Sequence, residues 1–244
     1  MSDSLVIIPT YNELENIERM LNTVFSLAHP FHVLIVDDGS PDGTAQIVKN
    51  LQLVYPGRLH LLERAGKLGL GTAYIAGFNW GLANNYDYIF EMDADFSHNP
   101  KDLIRLYEAC AAGGADLAVG SRYTQGGKVS NWSWDRIVLS YGASLYVRLM
   151  TLMMVKDPTA GFICYRSKVL ASIDLNKIRF VGYAFQIEMK YATHQLGFKI
   201  VEVPITFVDR VAGVSKMSSN IIQEAIWGVF QMRWRSFFQS YRKP

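Results

Sequence analysis

The chain has 244 residues, of which half are hydrophobic and 19% are charged. That composition supports one domain with a sizeable core and excludes disordered, collagen-like and coiled-coil architectures. Lys plus Arg number 24 against 22 Asp plus Glu, a net charge of +2, which excludes a generally basic nucleic-acid binder although not a local basic patch.

The N-terminus lacks a basic region followed by a long apolar run, so no signal peptide is expected. Leu5–Ile8 reads as an apolar strand. Asn12 precedes Glu15 by three, a variant capping box, and Ile17, Met20, Leu21 and Val24 follow at helical spacing. His32–Val36 is the next strand and runs into Asp37-Asp38-Gly39-Ser40-Pro41-Asp42-Gly43, where Ser40 and Pro41 suit an N-cap and first helical position. Arg58–Leu62 reads as a third strand, Gly71–Ala83 as a helix, and Tyr88–Met92 as a fourth strand ending at Asp93. Asn99 and Pro100 cap a helix carrying Leu103, Ile104, Leu106 and Tyr107, and Leu117–Val119 is a fifth strand. Ile137–Val155 and Phe185–Leu196 read as helices, and Phe162–Tyr165 and Ile200–Phe207 as strands.

Alternating strands and helices predict an α/β domain with a mostly parallel, Rossmann-like sheet and helices on both faces. Ser218–Tyr241 adds a terminal amphipathic helix with a stripe of Ile222, Ile226, Val229, Phe230, Trp234, Phe237 and Phe238. The expected division is a catalytic domain over 1–216 and this helix over 217–244, either part of the same domain or membrane-associating. No segment is a convincing membrane span, since Leu68–Tyr86 is rich in Gly and Asn and Ile137–Val155 contains Arg148. Cys110 and Cys164 lie far apart and form no metal-ligand pattern, which fits a reducing compartment.

Ligands of such sheets bind beyond the carboxyl ends of the strands. Both acidic clusters, Asp37-Asp38 and Asp93-Ala94-Asp95, fall at predicted strand ends. Where the backbone bends, two carboxylates can turn towards one hard cation such as Mg²⁺ or Mn²⁺; the plain alternative is a solvated acidic turn. A carboxylate at Asp38 can accept hydrogen bonds from a base or ribose, and Pro9-Thr10-Tyr11-Asn12-Glu13 would lie beside it. Gly66–Gly71 has neither P-loop nor dinucleotide spacing and reads as a turn entering a helix. Arg136 beside Asp135, and Arg210 beside Asp209, can each be half of a surface ion pair. Arg122, just past a strand end, has the best independent claim as a site cation. His98 either approaches the metal or belongs to the turn at Asn99-Pro100. Gln231–Trp234 only superficially matches a Q-x-x-R-W motif and reads as amphipathic surface.

Pro9–Glu13, Val36–Thr44, Lys67–Gly71, Asp93–Asp95, Gly120-Ser121-Arg122-Tyr123, Asp157–Phe162 and Arg210–Lys216 occur in one order. The ordered set resembles the family 2 glycosyltransferases, most of all the dolichyl-phosphate (polyprenyl-phosphate) mannose synthases, over roughly residues 5–217. The resemblance implies a GT-A fold and inverting transfer of mannose from GDP-mannose to a polyprenyl phosphate, with Mg²⁺ or Mn²⁺ as cofactor. It implies a donor-binding set of Pro9, Tyr11, Glu13, Val36, Asp38, Asp93, Ala94, Asp95, Arg122, Arg210 and Lys216. Asp93, Ala94 and Asp95 match the metal site, Ala94 through its backbone. Arg122, Arg136 and Ser140 match the contacts to the acceptor phosphate, and Asp95 and Arg122 are the expected catalytic pair. Gln186 and Glu188 sit in a similar segment without an assigned role.

A lipid acceptor implies a cytoplasmic enzyme held at the membrane surface, by the Met-rich helix near Leu149–Val155, by the terminal helix, or by a separate anchoring protein. Two other readings stand beside this one: a UDP-sugar transferase acting on undecaprenyl phosphate, and a non-catalytic nucleotide-sugar-binding subunit.

Overall fold

In a computed structural model, residues 2–182, 184–209 and 219–243 are described, with 219–226 described for their backbone alone. The strands are β1 (Ser4–Thr10), β2 (His32–Asp37), β3 (Leu59–Glu63), β4 (Tyr88–Glu91), β5 (Leu117–Ser121), β6 (Lys128–Ser130), β7 (Ile163–Arg166), β8 (Ile200–Pro204) and β9 (Thr206–Val208). The helices are α1 (Ile17–Phe25), α2 (Thr44–Val54), α3 (Leu70–Ala83), α4 (Asp102–Ala111), α5 (Trp134–Thr151), α6 (Ser167–Ser172), α7 (Ala184–Gln195) and α8 (Ser219–Arg235).

Seven strands form one sheet in the order β3-β2-β1-β4-β7-β5-β8, and β6 pairs with β9 in a small second sheet. Every pairing in the large sheet is parallel except those of β7, which runs antiparallel between β4 and β5. The period-2 pleat explains why these strands are apolar on both sides. Leu5, Ile7, Leu34, Val36, Ile89, Leu117 and Ile163 face a core shared with α3, α7 and the end of α8. Val6, Ile8, Val33, Ile35, Phe90, Ala118 and Cys164 face a second core shared with α1, α2 and α4. Helix α3 packs on the sheet at Gly77, which presents no side chain there. A Cβ at Gly77 would sit 2.7 Å from Ile7 Cγ2.

The reversed strand decides what reaches the site. Ile163, at the start of β7, is in register with both Glu91 and Val119 near the carboxyl ends of β4 and β5. The turn that precedes β7, residues 157–161, therefore lies on the same sheet edge as Asp93 and Arg122.

Several expected details differ. Asn12 is not a cap: it has φ +60° and its N–H bonds to Ser40 Oγ at 3.0 Å. Helix α1 instead starts at Ile17 after a turn closed on the Glu13 carbonyl. Ser40 does not cap α2, because Asp37 takes its hydroxyl at 2.6 Å; Asp42 accepts the Thr44 N–H at 3.0 Å, where the helix begins. The expected strand Ile200–Phe207 is two strands, since β8 pairs with β5 and β9 then leaves to pair with β6. Proline at 204 has no N–H with which to continue a ladder. The terminal helix ends at Arg235, and the chain turns back so that Tyr241 is buried and Asp174 N–H donates to its carbonyl at 2.8 Å. The expected stripe divides: Val229 is buried, while Phe230, Trp234, Phe237 and Phe238 are exposed. The side chains of Ile222 and Ile226 lie outside the described residues.

Candidate active site

On one side of this sheet edge, a pair of loops is stitched together beyond β1 and β2. Pro9 is in register with Val36, and Thr10 with Asp37. Thr10 Oγ1 donates to Asp37 Oδ1 at 2.8 Å, Asp38 N–H to the Thr10 carbonyl at 3.0 Å, and Glu13 N–H to Thr44 Oγ1 at 3.1 Å. The loops carrying Pro9, Tyr11 and Glu13, and Val36 and Asp38, thus form one wall. Asp38 is not alone there. Arg64, at the end of β3, donates Nε to Asp38 Oδ1 at 2.6 Å and Nη1 to Thr72 Oγ1 at 2.8 Å. Lys67 stands 4.7 Å from the centroid of the half-exposed Tyr11 ring. Gly69, at φ +100°, allows the sharp entry to α3 that brings this loop to the same wall.

Asp93, Ala94 and Asp95 follow β4 at the middle of this edge. Met92 N–H bonds to the Ile7 carbonyl at 3.2 Å, which ties the turn to β1. The buried Tyr74 hydroxyl donates to Asp93 Oδ1 at 3.5 Å, and Asp95 Oδ1 accepts the Ser97 N–H at 3.0 Å. Burial first, and then the charge of Asp93, push the Tyr74 hydroxyl well above its ordinary range, so it stays a donor. Among the described residues no cluster of three or more His, Cys, Asp and Glu is assembled for a metal. Two hard carboxylates at a strand-end turn still fit Mg²⁺ or Mn²⁺, which usually take one or two carboxylates and complete their shell with phosphate oxygens and water. His98 is buried, with its ring stacked at 5.0 Å on Phe162 and edge-on at 5.3 Å to Phe207.

On the other side of the edge, Arg122 follows β5 and is locked to Asp157. Its backbone N–H, Nε and Nη2 reach the Asp157 carboxylate at 2.9, 2.7 and 2.6 Å, and Nη2 also donates to Thr159 Oγ1 at 2.7 Å. Burial alone would raise the Asp157 carboxyl, but the Arg122 charge and its hydrogen bonds hold it below the ordinary carboxylate value. For Arg122 burial acts downward, and Asp157 outweighs it to hold the guanidinium above its usual value. Asp157 and Lys156 N–H groups donate in turn to Glu202 at 3.0 and 2.9 Å.

Arg136 and Ser140 lie one turn apart on α5 and join this group. Arg136 pairs with Asp209 at 2.6 Å rather than with the adjacent Asp135. Tyr123 donates its hydroxyl to Ser140 Oγ at 2.7 Å. The indole of Trp132 lies 4.2 Å from the Arg136 guanidinium and 5.5 Å from that of Arg122. Arg210 and Lys216 lie outside the described residues.

Beneath the 157–161 turn is a buried polar layer. Lys190 on α7 donates to the Ala160 carbonyl at 2.5 Å and the Gln186 carbonyl at 3.1 Å. Gln186 Nε2 donates to Glu91, which is fully buried at the end of β4. Burial pushes Glu91 up to about 7 and pulls Lys190 down to about 8, each opposed by the other's charge. Glu188 does different work. It accepts the Arg179 and Phe180 N–H groups at 2.8 and 3.0 Å and the Tyr241 hydroxyl at 3.0 Å, so it pins the chain end.

Arg64, Tyr123, Trp132, Asp157 and Lys190 were not singled out for roles by their sequence. Arg64 follows a predicted strand end, the signal that drew attention to Arg122. Trp132 sat inside an Asn131-Trp132-Ser133 string that reads only as a glycosylation letter pattern. Lys190 lies two residues past Glu188 on a helix that mixes polar and apolar residues, so nothing in the sequence marks it as buried.

Residues 5–174 match the profile described as Glycosyl transferase family 2. The chain is 49% identical over 231 residues to a polyprenol monophosphomannose synthase of Mycolicibacterium smegmatis, covering 93% of this chain and 87% of that protein. It is 47% identical over 235 residues to an undecaprenyl-phosphate mannosyltransferase of Micrococcus luteus, covering 94% and 95%. Among solved structures, a mannosyltransferase from Pyrobaculum calidifontis in complex with GDP-Man and Mn²⁺ superposes at TM-score 0.61 with 16% identity, covering 99% of this chain and 66% of that one. A glucosyl-3-phosphoglycerate synthase from Mycobacterium tuberculosis in complex with Mn²⁺, UDP and glucosyl-3-phosphoglycerate superposes at 0.64 with 17% identity, covering 94% and 79%. At such identities the likeness is one of fold, and it places the sheet in the expected GT-A architecture.

Proposed function

Because the chain belongs to glycosyl transferase family 2, we propose that this glycosyltransferase moves mannose from GDP-mannose to a polyprenyl phosphate. The observation that carries the reading is near-full-length identity of 49% and 47% to two proteins named for that acceptor class. The reading is supported by the two stitched loops, the Asp93–Asp95 turn and the Arg122–Arg136 cations, which share one sheet edge.

The donor wall of Pro9, Tyr11, Glu13, Val36 and Asp38 receives the guanosine. Asp38 enters already oriented by Arg64. Asp93 and Asp95, with the Ala94 backbone, would hold Mg²⁺ or Mn²⁺, which neutralises the charge of the departing diphosphate. Arg210 and Lys216 are assigned to the donor phosphates on the family resemblance.

The acceptor phosphate monoester has a second pKa of about 6 by analogy with phosphorylated side chains, so it arrives largely ionised and needs no dedicated base. The difficulty is bringing it beside another anion. Two like unit charges 4 Å apart repel by about 4 kcal/mol at an effective dielectric of 20. Arg122 and Arg136 offset that repulsion, and planar guanidinium groups suit phosphate oxygens. Arg122 spends Nε and Nη2 on Asp157 and Thr159. Its Nη1 forms no hydrogen bond among the described residues and remains for the ligand. The phosphate oxygen attacks the sugar carbon from the face opposite the leaving diphosphate, so one displacement inverts the configuration.

The enzyme works at a membrane surface on the cytoplasmic side. Among the described residues no helix is long and apolar enough to cross a membrane. Two adjacent helices instead expose large apolar groups: Trp134, Leu149 and Met154 on and just beyond α5, and Trp227, Trp234 and Phe238 on and beyond α8. Such Trp and Phe beside Arg suit the interface of a bilayer. Helix α8 is assigned to the same domain as the catalytic unit over 1–216, a reading supported by Val229 and Met232, which enter the main core.

The test supplies purified protein with sugar-labelled GDP-mannose, Mn²⁺ and a polyprenyl phosphate. Label enters the lipid phase with wild type and falls by about a hundred- to a thousandfold in Asp95→Asn, the scale of losing one preorganised charge contact. Label entering lipid from UDP-glucose and not from GDP-mannose would replace the donor assignment.

A further inference from the structure

We propose that Trp132 is a positioning residue for the acceptor phosphate, its indole holding Arg122 and Arg136 as one binding unit. This rests on the acceptor reading above. Two observations carry it. The first is the shared ring. Both guanidinium carbons lie within cation–π range of one indole centroid, at 5.5 and 4.2 Å. Tyr123 and Phe207 also face Arg122, at 5.3 and 5.5 Å. Among the described residues only Trp132 faces both cations.

The second observation is the indole nitrogen. Trp132 Nε1 is buried and has no hydrogen-bond partner among the described residues. A buried donor without an acceptor costs stability. Phenylalanine would fill most of the same space against Phe207, whose ring lies 5.4 Å away, without that cost. Packing alone therefore favours Phe at this position. Trp is instead the ring that binds cations best, and here one ring must serve two.

The two arginines approach from different elements, Arg122 from the end of β5 and Arg136 from the first turn of α5. Each is held from outside by its own carboxylate, Asp157 and Asp209. The indole sets their mutual spacing from inside. A phosphate with oxygens facing both cations then meets a spacing already fixed, rather than ordering two long side chains on binding.

The experiment compares Trp132→Phe and Trp132→Leu with wild type for KM of polyprenyl phosphate, KM of GDP-mannose, and Tm. Trp132→Phe is expected to raise the acceptor KM about three- to tenfold, and Trp132→Leu further, while the GDP-mannose KM stays within twofold. The Tm of Trp132→Phe is expected to equal or exceed that of wild type, so stability and acceptor affinity move in opposite directions. An unchanged acceptor KM in both variants overturns the inference. So does a parallel rise of both KM values with a fall in Tm, which marks a packing role. Wild type that transfers no sugar to polyprenyl phosphate overturns the acceptor reading itself and takes this inference with it.

Discussion

Replacing Asp157 by Ala should damage stability and acceptor handling together, and the size of the first can be worked from the ion pair. Asp157 is fully buried and the Arg122 side chain is 11% exposed, so solvent screens the pair little. Four N–H and O–H groups converge on the carboxylate: the Arg122 backbone N–H, Nε and Nη2, and Thr159 Oγ1 at 3.2 Å. Removing one partner of such a pair strands a charge, at a cost of about 3–5 kcal/mol. A domain of ordinary stability, about 5–15 kcal/mol, survives that loss narrowly. Asp157→Asn keeps shape and one acceptor oxygen and should lose less, about 1.5–3 kcal/mol. Urea titrations read both values from the midpoint at constant slope. The pH dependence supplies a second check. Asp157 holds its proton more weakly when folded, so its stabilising contribution is complete above the unfolded value of about 3.8 and fades as pH falls through the lower folded value. The gap between wild type and Asp157→Asn should therefore be flat from neutral pH down to that point and close below it. Arg122→Met with Asp157→Leu should recover most of the stability while leaving transfer abolished. An Asp157→Ala protein within about 1 kcal/mol of wild type would refute the assignment of a tightly coupled pair.

Lys190→Met should remove a pH-dependent component of stability. Lys190 binds its proton more weakly folded, at about 8, than unfolded, at 10.5, so wild type gains stability relative to the variant as pH rises across that window; a constant difference in chemical melts would contradict this. Trp227→Ser, Trp234→Ser and Phe238→Ser together should weaken binding to anionic vesicles containing polyprenyl phosphate by about a thousandfold or more, since three side chains at about 1.5–3 kcal/mol each sum to at least about 4.5 kcal/mol. Flotation measures it, and an unchanged bound fraction would mean that other residues meet the bilayer.

The parallel strands were legible because burial on both faces leaves unbroken apolar runs such as Leu5–Ile8 and Val33–Val36. Their carboxyl ends followed, and with them the places of Asp38, Asp93 and Arg122. The short β6 was not legible, since three residues with one valine carry no periodicity. The cap was misread at Asn12 because its N–H is taken by Ser40 of the neighbouring loop, a tertiary choice that local propensity does not record, and at Ser40 because its hydroxyl turns back to Asp37 three residues earlier. Partners of charges were the least accessible layer. Arg136 sits beside Asp135 in sequence yet pairs with Asp209, 73 positions away. Arg122 finds Asp157 only because β7 runs backwards and starts where β5 finishes.

That reversal has a consequence for how such enzymes diversify. Arg122, Tyr123, Trp132, Arg136, Ser140, Asp157 and Thr159 all fall on one excursion that leaves the sheet after β5 and re-enters it, one strand over, at β7. The wall of Pro9, Tyr11, Glu13, Val36 and Asp38, proposed for the nucleotide, is by contrast drawn from the chain before it. On the proposed reading, acceptor choice is carried by this cassette, whose two ends are hydrogen-bonded neighbours and whose interior is tied to residues 202–209 through β6–β9, Arg136–Asp209 and Asp157–Glu202. Grafting that cassette between relatives together with its partner segment 202–209 should exchange the acceptor that receives the sugar while leaving the preferred nucleotide untouched, a modularity built into strand order rather than into a domain boundary.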